Sequence, residues 1–163
     1  MELREEKIVE LVKNYLFHQE GNWHEDKSKI ADLHQHGVDI YLVGGSKNGE
    51  RFLIECKGKS YAKNQRSANA INKECWLLAL GQLITRMSTN RIIQSGKTKG
   101  SISGAYKYGL GLYWVAAQVA LRRIPKNIAA TLNLHIFAVN DEGKVIHFTA
   151  SNFGKSYPDS AFN

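Results

Sequence analysis

Hydrophobic and polar residues along the chain first follow a helical period and then change to the period of a strand. In residues 3–19, apolar side chains recur at the spacing i, i+3, i+4, i+7, which predicts an amphipathic helix. In residues 38–43 and 51–57, apolar and polar side chains alternate, which predicts two β-strands. Residues 23–36 between the helix and these strands are mixed and polar, with room for a short first strand.

The second half of the chain uses the same two periods. Residues 74–87 are rich in Leu and Ala and predict a helix. Residues 108–117 predict a strand, with a buried helix as the competing interpretation. Residues 124–132 predict a short helix that opens at a proline, which a first helical turn tolerates. Residues 134–149 predict a β-hairpin, so the order of elements favours an α/β protein with a mixed sheet and packed helices.

Length and composition indicate one globular domain over residues 1–163. The chain has 43% hydrophobic and 23% charged residues, which excludes a wholly disordered protein. Its two cysteines, Cys56 and Cys75, exclude a disulfide-stapled secreted scaffold and suit a reducing compartment. The first residues carry no apolar signal core, and no apolar run is long enough to span a bilayer. We therefore expect a cytoplasmic protein.

The charge of the chain points to a polyanionic partner. Lys and Arg number 22 against 15 Asp and Glu, which gives a net charge of +7. A small basic domain of this kind is typical of proteins that bind nucleic acid, although many basic proteins do not.

Candidate chemistry lies on the two predicted strands, at Asp39, Glu55 and Lys57. Two carboxylates on adjacent strands offer the oxygen ligands that Mg²⁺ prefers, and Mg²⁺ keeps several of its own waters. Lys57 lies two residues after Glu55 and so on the same strand face, where its ammonium group can hold a water or stabilise charge on a phosphorane. The alternative is a solvent-facing strand side that carries a surface ion pair.

The register of the two strands tests this interpretation. A two-residue turn at residues 48–49 would direct Asp39 away from Glu55. A three-residue loop at residues 47–49, with its glycine in the left-handed conformation, places both carboxylates and Lys57 on one face. A catalytic site therefore predicts an even register, in which the numbers of paired residues add to an even number.

A polar residue interrupts the apolar stripe of the helix predicted over residues 74–87. Gln82 shares this stripe with four other residues, which are Cys75, Leu78, Ala79 and Arg86. A glutamine on the sheet-facing side of a helix needs hydrogen-bond partners, which a neighbouring active site would supply. The alternative is a glutamine on the helix surface.

Together these motifs resemble the PD-(D/E)XK nuclease superfamily, which has a restriction-endonuclease-like core. The resemblance is carried by Gly37-Val38-Asp39, by Glu55-x-Lys57 sixteen positions later, and by the helix that bears Gln82. Val38 stands where the name-giving proline would be. The resemblance implies a core of helix, three strands, helix and strand (αβββαβ), here followed by a C-terminal helix and β-hairpin. It also implies magnesium-dependent hydrolysis of DNA phosphodiester bonds.

Residue by residue, the resemblance makes Asp39 and Glu55 ligands of Mg²⁺, with Mn²⁺ as a substitute. It makes Lys57 the catalytic lysine and Gln82 the residue that positions the substrate or the lysine. Many members of the superfamily add a glutamate of the first helix near the metal. Three residues compete for that place here, namely Glu5, Glu6 and Glu10. The angular position of Glu5 at the edge of the apolar stripe favours it.

The polar segments beside the predicted active site hold candidate contacts for DNA phosphates. We predict residues 58–73 to be a mobile basic loop and residues 88–104 to be a second polar excursion. The candidate nucleic-acid contacts are Lys59, Lys63, Arg66, Lys73 and Arg86. The expected function is that of a DNA endonuclease of the restriction, homing, junction-resolving or mobile-element type. A homodimer or higher homo-oligomer would allow both strands to be cut, although no sequence feature shows one.

Three other interpretations compete with a nuclease. A catalytically inactive nuclease-fold protein would bind nucleic acid or a protein partner without cutting, and a basic scaffold would have no nucleic-acid role. His34 and His36, with Asp39 beyond them, suggest a transition-metal hydrolase but lack the further spacing of a dinuclear zinc site. Cys56 lies on the core-facing side of its strand, which indicates packing rather than nucleophilic chemistry.

Overall fold

A computed structural model describes residues 1–18, 22–25, 38–44, 50–95 and 106–163, with side chains of the long second helix described as far as Met87. The helices are α1 (Glu5–Phe17), α2 (Gln65–Ser95), α3 (Trp114–Arg123) and α4 (Lys126–Leu132), followed by 3-10 turns at Ala150–Asn152 and Asp159–Phe162. The strands are β1 (His24–Glu25), β2 (Ile40–Gly44), β3 (Glu50–Lys57), β4 (Tyr106–Tyr113), β5 (Leu134–Val139) and β6 (Val145–Phe148).

The six strands form one mixed sheet in the order β1-β2-β3-β4-β5-β6. The central strands β3, β4 and β5 run parallel, while β1, β2 and β6 pair antiparallel at the two ends. Parallel strands need helical cover on both faces, and β5 accordingly buries every one of its residues. The predicted α/β class with a mixed sheet and flanking helices is confirmed.

Helices cover both faces of the sheet and divide the core into two clusters. On one face, α1 packs Ile8, Val12 and Leu16 against the sheet, chiefly over β3 and β4. On the other face, α2 and α3 pack together against β3, β4 and β5. Because successive strand residues point to opposite faces, Cys56 belongs to the α1 cluster, whereas Leu53 belongs to the cluster under α2. No helix in the described ranges is both long and apolar enough to cross a membrane.

Several local predictions agree with the structure. The amphipathic stripe becomes α1, and the predicted short first strand is β1. Pro125 precedes α4 and supplies its N-cap position, as the proline signal indicated. The predicted hairpin is formed by β5 and β6, whose connecting turn includes Gly143 with a φ of 87°.

The prediction of a mobile loop over residues 58–73 is wrong for its second half, because α2 begins at Gln65. Asn64 caps this helix, since its Oδ1 accepts hydrogen bonds from the backbone N–H groups of Arg66 (3.0 Å) and Ser67 (3.4 Å). Within the first turns only Ala68 and Asn72 are buried. Because so few residues of these turns are apolar and buried, the sequence shows no helical period there, and the helix could not be predicted.

Two further boundaries differ from the prediction. The polar excursion predicted over residues 88–104 is wrong as far as Ser95, where α2 ends, and residues 96–104 lie outside the described part of the chain. The strand predicted over residues 108–117 ends at Tyr113, and α3 begins at the next residue. There the competing helix is correct, because small and aliphatic side chains at helical spacing pack against α2, namely Ala116, Ala117, Ala120 and Leu121.

Candidate active site

Strands β2 and β3 pair in an even register, as a catalytic site required. Ile40 pairs with Ile54 and Gly44 pairs with Glu50. The three-residue loop is wrong, because it would pair Glu50 with Ser46, two residues away from its observed partner; the loop residues themselves lie outside the described ranges. A shift of two residues preserves the face on which each side chain lies. Continued one step beyond β2, the register brings Asp39 opposite Glu55.

Asp39 and Glu55 form a pair of neighbouring carboxylates next to the start of β2. Asp39 Oδ2 accepts a 2.6 Å hydrogen bond from the backbone N–H of Cys56, so Asp39 extends the hydrogen bonding to β3 by one residue before β2 begins. Glu55 is 1% exposed. Burial, as the largest cause, and the adjacent Asp39 carboxylate together raise the pKa of Glu55 to about 7 against the opposing influence of Arg86. A buried pair of like charges is a place where a cation is stabilised.

Arg86 of α2 supplies a positive charge to this pair. Its Nε donates a hydrogen bond of 2.5 Å to Glu55 Oε1. Sequence reasoning placed Arg86 among the nucleic-acid contacts and missed this role. The signal available was its position on the Gln82 stripe, one turn further along the helix, which faces the sheet.

Gln82 lies one turn before Arg86 on the same side of α2. Its side chain is half-buried, and within the described residues its Oε1 is a buried atom with no hydrogen-bond partner. A buried amide oxygen of this kind is normally satisfied by a ligand, an ion or an ordered water. Gln82 therefore offers an unpartnered acceptor one helical turn from Arg86, the residue that contacts Glu55.

Lys57 forms an ion pair with the first helix. Its Nζ lies 3.1 Å from Glu5 Oε2, and its side chain is only 14% exposed. Of the three competing glutamates, Glu5 is thus the one that contacts the predicted catalytic lysine. Glu10 pairs with Lys7 instead, and Glu6 is exposed.

Close packing at Gly58 explains how α1 reaches Lys57. A Cβ atom at Gly58 would lie 2.4 Å from Glu5 N and 2.5 Å from the carbonyl carbon of Arg4. Only glycine allows the backbone after β3 to lie against the start of α1 at this distance. The next residue continues the contact, because Lys59 N donates a 2.7 Å hydrogen bond to Leu3 O.

The predicted nucleic-acid contacts fall into two groups. Lys59 is engaged by the protein itself, since its Nζ lies 2.8 Å from Asp141 Oδ1 and 4.6 Å from the centre of the Tyr113 ring. Arg86 is likewise engaged by the protein itself, through Glu55. The remaining three are exposed on the segment before α2 and on its first turns, namely Lys63, Arg66 and Lys73. These three are accessible to a polyanion.

The donor set in the described part of the chain is limited to two adjacent carboxylates. No three His, Cys, Asp or Glu side chains converge there on one point. Cys56 is fully buried with a pKa raised well above its usual value by burial, which agrees with a packing role. Burial also raises the pKa of Cys75 to about 11, so neither thiol offers a thiolate. His34 and His36 lie outside the described residues.

Comparison with known proteins finds no match: no protein-family model, no curated protein and no solved structure matches this chain. The resemblance to the PD-(D/E)XK superfamily therefore stays a prediction from the sequence.

Proposed function

We propose that this protein is a Mg²⁺-dependent nuclease with a restriction-endonuclease-like core, which hydrolyses phosphodiester bonds of DNA as an endonuclease. The observation that supports this most is the even register of β2 and β3, which sets Asp39 against the buried Glu55. Lys57 follows two residues later on the same strand face. The alternating pattern of β3 alone could not bring all three groups together.

The carboxylate pair fits a hard divalent cation. Asp39 and Glu55 would hold Mg²⁺ or Mn²⁺ through oxygen atoms, and a site with two carboxylates leaves room for the waters that Mg²⁺ retains. Burial and Asp39 raise the pKa of Glu55 even with Arg86 beside it, so a bound cation would favour the charged carboxylate. The unpartnered Oε1 of Gln82 supplies a further acceptor for a metal-bound water or a substrate hydroxyl.

Each residue of the candidate site has its own role in the proposed hydrolysis. A cation bound by the carboxylates would polarise the scissile phosphate and lower the pKa of a water. The ammonium group of Lys57 orients the attacking water or stabilises the charge that develops on the phosphorane oxygens. Glu5 accepts a hydrogen bond from Lys57 and thereby holds the ammonium group in place.

A cleavage assay with matched variants tests the proposal. Supercoiled and linear DNA are incubated with the protein and Mg²⁺, Mn²⁺ or EDTA, and Asp39→Asn is compared with Asp159→Asn at an exposed position. We expect metal-dependent cleavage that Asp39→Asn abolishes and Asp159→Asn retains. Full cleavage by Asp39→Asn would contradict the assignment. Linearisation rather than nicking of the supercoiled DNA would indicate that a dimer acts.

One observation favours a second candidate, a catalytically inactive nuclease-fold protein that binds nucleic acid or a protein partner. Arg86 already occupies Glu55 Oε1 with a charge-assisted hydrogen bond, as in a site that needs no metal. Salt-sensitive DNA binding without cleavage of any DNA form in Mg²⁺ or Mn²⁺ would support this candidate instead.

A further inference from the structure

A cavity of about 510 Å³ lies beside the candidate active site. It is enclosed by the segment that follows β3, by the first turns of α2 and by the junction of β4 with α3. Its wall begins at Lys59, two residues after Lys57, and neither the carboxylate pair nor Gln82 nor Arg86 lines it. The cavity is therefore a neighbour of the candidate site and not a part of it.

The wall formed after β3 is fixed in place by other parts of the chain. Asn72 is buried and holds Ser60 twice, because its Oδ1 accepts from Ser60 N (2.6 Å) and its Nδ2 donates to Ser60 O (3.3 Å). Tyr61 Oη accepts a 2.6 Å hydrogen bond from Leu3 N. The cavity is therefore preformed, which reduces the entropy lost when a ligand binds.

The opposite wall is a row of polar side chains on one face of α2. Gln65, Asn69 and Lys73 follow one another at four-residue spacing, and Gln65 Nε2 donates a 3.2 Å hydrogen bond to Asn69 Oδ1. The Tyr61 ring, 46% exposed, stands at the cavity and offers a flat apolar surface. An aromatic face, two amides and an ammonium group match the base, the base edge and the phosphate of a nucleotide.

We propose that this cavity binds a single unpaired nucleotide of the DNA strand, with its base on Tyr61 and its phosphate at Lys73. Because Lys59 forms an ion pair with Asp141, Lys73 is the ammonium group that would contact the phosphate. The volume suits one nucleotide. A base inside a duplex is stacked and paired and cannot enter a side cavity unless it is extruded. The inference rests on the proposed nuclease function and adds a substrate class, DNA with an unpaired nucleotide next to the cleavage point.

Binding in EDTA tests the cavity separately from cleavage. A fluorescent strand of about 12 nucleotides is titrated alone and as a blunt duplex, and fluorescence anisotropy gives the two Kd values. Asn69→Leu with Lys73→Gln changes the cavity, and Asn127→Leu with Lys155→Gln makes the same two chemical changes at exposed positions elsewhere. We expect the cavity variant to weaken single-strand binding about tenfold and duplex binding less than about twofold. The control variant should change neither by more than about twofold.

Any of four results would overturn the inference. Equal losses on single strand and duplex, or equal losses in both variants, would mean that Lys73 acts as a general surface charge. Unchanged single-strand binding by a cavity variant whose thermal unfolding matches wild type would mean that the cavity does not bind the DNA strand. Thymidine 5′-monophosphate bound at the cavity without binding of any oligonucleotide would identify a site for free nucleotides. A different pattern would separate the two proposals. If the cavity variant loses single-strand binding selectively in EDTA but wild type cleaves no DNA in Mg²⁺, the cavity binds a nucleotide and the nuclease function is refuted.

Discussion

Glu55 is a carboxylate in a position where burial and a neighbouring carboxylate both disfavour its charge. It is 1% exposed and lies beside Asp39, and the single charge-assisted hydrogen bond described for it comes from Arg86. Such a group destabilises the folded protein at neutral pH and is retained where chemistry requires it. The stability of the protein and its proposed activity therefore place opposite demands on this residue.

Glu55→Gln should stabilise the protein in a manner that depends on pH. The folded-state pKa of Glu55 is about 7 against an ordinary 4.5, so its favourable contribution is present below pH 4.5 and is lost as pH rises through 7. We expect the free energy of unfolding of the variant, relative to wild type, to rise by about 2 to 3 kcal/mol between pH 5 and pH 8. Urea unfolding in EDTA measures it, with the exposed Glu142→Gln as control. If the difference in unfolding free energy between variant and wild type does not change with pH, the buried carboxylate pair of Glu55 and Asp39 is contradicted.

Glu5 and Glu10 provide a matched test on one helix, because each pairs with a lysine and only Glu5 pairs with Lys57. Glu5→Gln removes the negative charge that holds the Lys57 ammonium group, so we expect kcat for DNA cleavage to fall about tenfold with little change in KM. Glu10→Gln should leave both constants unchanged. Equal effects of the two substitutions would assign them to the stability of α1 rather than to the site.

At the scale of elements, the candidate site depends on how α1 and α2 pack on opposite faces of the sheet. The start of α1 brings Glu5 to the end of β3, and α2 brings Arg86 to the same strand. Both helices meet β3 near its carboxyl end, where the ligand sites of open α/β sheets commonly lie. A change in the packing of either helix would therefore alter the site without touching its residues.

Gly58→Ala should separate α1 from β3. Its added methyl group would meet backbone atoms of α1 at 2.4 Å, which a small adjustment cannot relieve, so we expect a loss of about 2 to 3 kcal/mol in the free energy of unfolding. Gly81→Ala is the matched control, because a Cβ atom there meets nothing within 4 Å and alanine favours the helix by about 1 kcal/mol. Urea unfolding should therefore move in opposite directions for the two variants. A harmless Gly58→Ala would contradict the close contact.

At the scale of the whole molecule, the chain is basic, and three exposed basic side chains lie where the proposed substrate would pass. The net charge is +7, and the exposed Lys63, Arg66 and Lys73 lie on the segment that leads from the end of β3 into α2. A strand that crosses this segment would reach Lys57 at one end and the cavity at the other. Surface charge of this kind governs affinity and its dependence on salt rather than the choice of sequence.

The salt dependence of DNA binding should report these three contacts. Replacing Lys63, Arg66 and Lys73 by glutamine should lower the slope of log Kd against log salt by about 2 to 3, because each phosphate contact contributes slightly less than one. The same replacement of Lys7, Lys13 and Lys155 should leave the slope close to that of wild type. Anisotropy titrations from about 50 to 200 mM salt measure both slopes. An equal reduction in the two variants would mean that the molecule binds through its overall charge.

The sequence by itself determined which residues share a face and which class of fold they build. The alternation in β3 places Glu55 and Lys57 together, and the helical stripe of residues 8–15 fixes the buried side of α1. These are local properties, since the period of side chains along an element depends on backbone geometry alone. The α/β class follows from the same periods taken in order.

Only the tertiary structure decided which distant groups meet. The ion pair of Glu5 with Lys57 spans 52 residues and that of Arg86 with Glu55 spans 31, so both depend on how helices pack on the sheet. The first turns of α2 and the cavity beside them could not be predicted from the sequence. A capping asparagine and one buried Asn72 leave almost no apolar pattern there. Side-chain periodicity is encoded locally, whereas the two ion pairs and the cavity arise from contacts between elements far apart in the chain.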